Sequence, residues 1–204
     1  MYFQNDRRWS HLHWYSPVHD ELVRKLTEAL HKVPDSQAVF GSDKGTLGND
    51  GCWHTALSSM LKRFEIQFDG KPCNPKSFLY ELRRRMLGTL SGYVEHPFVD
   101  PISMVTDGKV QLLRYRDFLQ KGATSEHPDM RSLLADVDGK AVCAIANVQE
   151  HEFFGKSDNP HYVLVIERSG ATFRIHDPGW PKYKKLFSKR YPRVYQLFLY
   201  RRYD

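Results

Sequence analysis

The amino-acid sequence predicts a single α+β domain in which helices come first and an antiparallel sheet follows. Three observations carry that expectation. Apolar residues recur at helical spacing through the first part of the chain, and the last part holds β-branched and aromatic runs separated by turn residues. The 204 residues suit one domain, and 41% hydrophobic with 26% charged residues are ordinary globular values that exclude a disordered or fibrous chain. No apolar run approaches the ~18 residues of a membrane span.

The elements follow in order. The start, MYFQNDRRW, is polar and aromatic and lacks the apolar core of a secretory signal, so a cytoplasmic protein is expected, with export by another route left open. Pro17 opens a helical pattern with Val18, Leu22, Leu26, Leu30 and Val33 on one face, which makes a helical insertion at about 10–44 within the one domain of residues 1–204. The loop GSDKGTLGNDG then runs into Cys52. From Trp53, apolar residues at 53, 56, 57, 60, 61 and 64 predict a helix with a wide buried face. NPKSFLYELRRRML predicts another, with Asn74 as its cap and Pro75 in its first turn. Short helices are expected near YRDFLQ and PDMRSLLADV. KAVCAIANV, HYVLVIE, ATFRIHD and RVYQLFLY are the strands.

The chemistry centres on a cysteine. Cys52, Cys73 and Cys143 are too few and too unevenly spaced for a disulfide framework or a zinc ribbon. Cys52 stands at the first turn of a predicted helix, after Gly51 and with Asn49 or Asp50 as candidate caps. The helix dipole there favours a thiolate, and the glycine lets a substrate approach the backbone. The bland alternative is a small buried residue, which is how Cys143 reads inside its apolar strand.

A nucleophilic thiol needs a base and a group to orient it. His161 opens the strand HYVLVIE, and Asp177 closes ATFRIHD. If Arg168, Ser169 and Gly170 form a three-residue loop with Gly170 left-handed, Glu167 faces Ala171 and His161 faces Asp177. The same face then carries Val163, Val165, Phe173 and Ile175, ready to pack on the cysteine helix. A two-residue turn would instead put Arg174 and His176 on the face of Val163. The alternative reading of the pair is a surface His and Asp at the ends of an ordinary hairpin.

The segments NDGCWHTALSSML, HYVLVIE and FRIHDPGW resemble the papain-like peptidases of the bacteriocin-processing, double-glycine type, including their stand-alone C39-like relatives. The opening YFQNDRRW resembles a Tyr-x-Gln-x-Asp-x-x-Trp start found in some stand-alone members. The resemblance implies a papain-like α+β fold, with N-terminal helices packed on a C-terminal antiparallel sheet. It implies a cysteine peptidase acting on a peptide or protein substrate through an acyl-enzyme, and hints at cleavage after small residues such as Gly. Cys52 would be the nucleophile, His161 the general base, Asp177 its orienting partner and Gln4 the oxyanion donor. In many relatives that Gln lies only a few residues before the Cys, whereas 47 residues separate Gln4 from Cys52. One rival is a murein (peptidoglycan) amidase or endopeptidase of the same superfamily, which usually shows Cys-Ser where this chain has Cys52-Trp53. The other is a non-catalytic module binding nucleic acid or protein.

The remaining signals are weaker. His11, His13 and His19 have no acidic or cysteine partner at ligand spacing, so no metal is expected. No phosphate-binding glycine fingerprint or other cofactor signature is present. His54, two residues beyond the cysteine, is expected to point away from it to the surface. Residues 182–202 hold eight Lys and Arg and no Asp or Glu, and carry the excess that makes the whole chain +6. Interleaved with Tyr183, Tyr191, Tyr195, Tyr200 and Tyr203, they suit single-stranded nucleic acid. The reading preferred here is an edge strand protected by charges.

Overall fold

The computed structural model of the protein describes residues 1–12, 47, 51–85, 101–118, 121–148, 161–170 and 172–204. The helix expected over 17–33 lies outside the described residues, as do His13, His19, Asn49 and Asp50. The chain is α+β. Helix α1 (Cys52–Arg63) is followed by a small ribbon, β1 (Gln67–Phe68) with β2 (Lys71–Pro72), and by α2 (Pro75–Arg84) and α3 (Pro101–Val105). Then come β3 (Val110–Asp117), α4 (Pro128–Leu134), β4 (Val142–Asn147), β5 (Tyr162–Ser169), β6 (Thr172–His176), β7 (Lys185–Leu186) and β8 (Gln196–Arg202). Six of these strands form one antiparallel sheet in the order β3-β8-β4-β5-β6-β7. No helix among the described residues is long and apolar enough to cross a membrane.

Both faces of the sheet are covered. On one, Cys143, Ile145, Tyr162, Leu164, Ile166, Phe198 and Tyr200 pack with α1 and with Phe78 and Leu82 of α2. On the other, Ala144, Ala146, Val163, Val165, Ile175, Leu197 and Leu199 pack with Met130, Leu133 and Leu134 of α4. Helix α1 is buried from Cys52 through Leu61, so the apolar stripe read from Trp53 onward is only part of what it hides. Asn74 caps α2 as expected: its Oδ1 accepts the Ser77 N–H at 3.0 Å.

Four expectations are corrected. The helix near YRDFLQ is absent, because Tyr115, Arg116 and Asp117 belong to β3. A bulge between Leu112 and Arg114 breaks the alternation of that strand. Leu112 and Tyr115 therefore face α1 while Leu113 and Phe118 face the other side, and apolar residues three apart imitate a helix. The cysteine helix does not pack on Val163, Val165 and Ile175 but on Tyr162, Leu164 and Ile166, across the strand. A strand apolar on both faces cannot announce which face meets which helix.

His54 is 2% exposed rather than on the surface. Its Nε2–H donates to the Pro75 carbonyl at 2.8 Å, and its ring stacks on Phe78 at 4.7 Å. Strand β8 is not at the edge: it pairs with β3 on one side and β4 on the other, and Gln196–Tyr200 is buried. The two-residue β7 takes the edge beyond β6.

Candidate functional site

Cys52 is the first residue of α1, as expected. The cap before it is Gly51, with no side-chain hydrogen bond. A Cβ at Gly51 would lie 2.4 Å from the Leu47 carbonyl oxygen, so only glycine fits where the chain enters the helix. Trp53 then fixes where the helix start sits. Its ring meets Tyr162 at 4.8 Å and Phe198 at 4.7 Å, both edge-on, which seats the N-terminus of α1 over the beginning of β5. His161 is the residue before β5, and its side chain hydrogen-bonds that of Cys52.

The structure also brings Asp177 to His161. The His161 Nε2–H donates to Asp177 Oδ1 at 2.9 Å, which leaves Nδ1 as the ring nitrogen for the thiol. Asp177 is 1% exposed. Its Oδ1 also accepts the backbone N–H groups of Gly179 (2.9 Å) and Trp180 (2.8 Å), and its Oδ2 accepts the Tyr191 hydroxyl. A buried carboxylate with this many donors is a satisfied one.

The route to this pairing differs from the expected one. Ser169 pairs with Thr172, Arg168 with Phe173 and Glu167 with Arg174, a tighter hairpin than the three-residue loop. A bulge between Val165 and Glu167 then shifts the register, so that Val165 pairs with Ile175 and Leu164 with His176. The bulge returns Ile175 to the face of Val165, and continuing that register sets Asp177 across from Val163, one diagonal step from His161. Gly170 has φ +62°, as expected.

Electrostatics follow from these contacts. Burial alone would lower the His161 pKa, but hydrogen bonds to Asp177 and Cys52 and the charges of both push it up to about 9. Burial would likewise raise Asp177, and the His161 hydrogen bond and charge, with Tyr191 and Trp180, hold it below the usual carboxylate range. The other two thiols lie in dry surroundings: burial drives Cys143 up to about 12 and Cys73 further still.

Gln4 reaches the same corner. Its N–H donates to the Pro178 carbonyl at 3.1 Å. A Cβ placed on Gly179 would sit 3.2 Å from His161 Cε1 and 3.7 Å from both Asp177 Oδ1 and Gln4 Oε1. The segment is held there from two sides. The Tyr2 N–H donates to Ser59 Oγ of α1 at 3.0 Å, and the His176 Nε2–H donates to the Tyr2 carbonyl at 2.5 Å. The Tyr2 hydroxyl donates to the Cys73 carbonyl at 2.8 Å.

Sequence assigns no role to three further participants, although Gly179 and Trp180 end the segment FRIHDPGW. Tyr191 binds the second oxygen of Asp177, and its ring is stacked near that of His161, 6.2 Å away and inclined by 29°. Trp180 stands edge-on to that ring at 4.6 Å. Gly179 supplies one of the N–H groups and the open space beside it. Tyr191 is one of several tyrosines in the basic segment, and its hydrogen bond to Asp177 is what sets it apart. Among the described residues no three His, Cys, Asp or Glu side chains gather as metal ligands would. Compared with known proteins, the chain matches no family model, no curated protein and no solved structure.

Proposed function

We propose that the protein is a thiol-dependent hydrolase, a cysteine peptidase of papain-like, C39-like type. The observation that carries this reading is one constellation: a cysteine opening a helix, hydrogen-bonded to a buried histidine whose other nitrogen is held by a buried carboxylate. An inert core cysteine has no use for a charged partner at that position, since burying charge costs free energy unless it is paired.

The chemistry runs through these atoms. Cys52 Sγ, as thiolate, attacks the carbonyl carbon of the scissile amide. The oxygen takes the negative charge, stabilised by the Cys52 backbone N–H at the helix start and by the Gln4 side-chain amide. His161, protonated below about pH 9, gives its proton to the leaving nitrogen as the C–N bond breaks, and the acyl group stays on sulfur. A water then gives its proton to the now neutral imidazole and its oxygen to the acyl carbon, releasing acid and thiolate. Asp177, fixed by Tyr191 and two backbone N–H groups, keeps the ring turned with Nδ1 toward sulfur.

The test is chemical labelling. A peptide electrophile should modify Cys52 ahead of Cys73 and Cys143 at neutral pH, as read by mass spectrometry of the digested protein. Labelling at Cys73 or Cys143 first would overturn the assignment.

A further inference from the structure

The basic segment and the candidate site meet through a stack of side chains. The Arg190 guanidinium lies over three rings, Trp180 at 5.3 Å, Tyr183 at 5.3 Å and Tyr191 at 5.5 Å. Trp180 is the ring that stands against His161, and Tyr191 is the one that holds Asp177. One ring therefore separates Arg190 from the imidazole. Lys182, Lys184, Lys185 and Lys189 belong to the same run, and all five cations are exposed. None of the five forms an ion pair with any acid among the described residues, whereas Arg84, Arg85, Arg116, Arg174 and Arg202 elsewhere each do.

The position of this run has a chemical meaning. His161 must reach the leaving nitrogen to protonate it, so the half of the substrate that departs as the amine lies on the histidine side of the scissile bond. Trp180 walls that side, 41% exposed, and Arg190 continues it outward. From the proposed hydrolase reading, on which this rests, we infer that residues 182–190 form a subsite for acidic side chains on the leaving-amine half of a polypeptide substrate. A guanidinium held among aromatic rings can still turn N–H donors toward a carboxylate, and less side-chain freedom remains to be lost on binding.

A nucleic-acid strand fits the same observations less well. It needs a row of open rings for its bases. Tyr191 and Tyr200 are buried, Tyr183 already carries Lys182 and Arg190, and Tyr203 stands at the far end of the sheet, where its N–H meets the Lys109 carbonyl.

The experiment separates this subsite from the hydrolase reading. Binding is measured by fluorescence anisotropy on the full chain carrying Cys52→Ala, at physiological salt, with two labelled peptides that differ only in Glu against Gln at three adjacent positions. The Glu peptide should bind about tenfold more tightly. That preference should vanish in Lys184→Gln/Lys185→Gln/Lys189→Gln/Arg190→Gln, and Arg190→Lys should restore part of it in an otherwise unchanged run. Equal binding of the two peptides overturns the subsite, and so does a single-stranded oligonucleotide that outcompetes the Glu peptide through the same residues. Cleavage of a peptide mixture by the unmodified chain reads the other half. Products should carry Asp or Glu within about four residues after the cut bond. Cleavage without that bias removes the subsite and leaves the hydrolase, whereas Glu-selective binding without any cleavage leaves the acidic-peptide site and removes the hydrolase.

Discussion

His161 and His176 belong to one hairpin, are each 5% exposed and each use Nε2 in a hydrogen bond, yet they are tuned in opposite directions. His161 donates to a carboxylate and faces a thiol, and its pKa is pushed up to about 9. His176 donates to the Tyr2 carbonyl, which offers only a partial charge, and burial takes it down to about 4. Burial is common to both, so the charge of the partner decides. One ring is kept as a cation able to release a proton. The other is kept neutral and serves as a clamp on the N-terminal segment.

The comparison can be broken most severely at Asp177. In Asp177→Asn the ring loses one of its two charged partners, and the His161 pKa should fall from about 9. Turnover should drop on the order of a thousandfold or more, as it does when a triad carboxylate is neutralised. Nuclear magnetic resonance titration of the ring beside the rate measurement checks both, and a His161 pKa unmoved by the substitution would show that Asp177 is not its tuning partner.

Gln4→Ala should cost about a hundredfold in turnover, the usual loss for one oxyanion donor, with the fold retained and the His161 titration unchanged. Full turnover would mean that the segment clamped by His176 is structural only.

The pH dependence of stability sharpens the contrast between the two rings. His161 has a raised pKa, so its contribution is complete below ~6.5 and is lost as pH rises toward about 9. His176 has a lowered pKa, so its contribution is complete above ~6.5 and is lost as pH falls toward about 4. Urea midpoints across that range should therefore peak near neutrality. His161→Gln should flatten the alkaline side, and His176→Gln the acid side. Midpoints in which either substitution flattens the opposite side would reverse the assignment.

Tyr191→Phe is the smallest change. Removing a hydrogen bond to a charged group costs ~1.5–3 kcal/mol of interaction. Turnover should fall about tenfold, and the alkaline limb of the rate profile should move to lower pH as Asp177 holds the ring less firmly. A rate loss with an unmoved limb would make Tyr191 a packing residue.

How much of this was legible in the sequence depends on whether the signal is local. The stripe of α1, the Asn74 cap, the positive φ of Gly170 and the β-branched runs of β4, β5 and β6 are local, and each is found where it was read. The pairing of His161 with Asp177 was legible too, although through the wrong register. The bulge near Ile166 and the tighter turn shift the alignment, and their combined effect preserves which residues share a face. What was not legible is tertiary. The bulge at Leu113 turns a strand into an apparent helix, and β5 is apolar on both sides. Tyr191 meets Asp177 only because β7 and the turn after it fold back beside β6.

The place of β8 has a consequence for the order in which the domain can be made. A chain emerging N-terminus first releases β3, β4, β5 and β6 well before β8, yet β8 lies between β3 and β4. Until it arrives β3 lacks the one strand it pairs with among the described residues, the covering of Trp53 lacks Phe198, and the edge of β4 that β8 will pair is open. Such a nascent chain exposes an unpaired strand edge to its neighbours. The seat of the cysteine helix closes only with that late insertion, so a ribosome-bound chain stalled before residue 196 should hold Cys52 and His161 without the frame that aligns them.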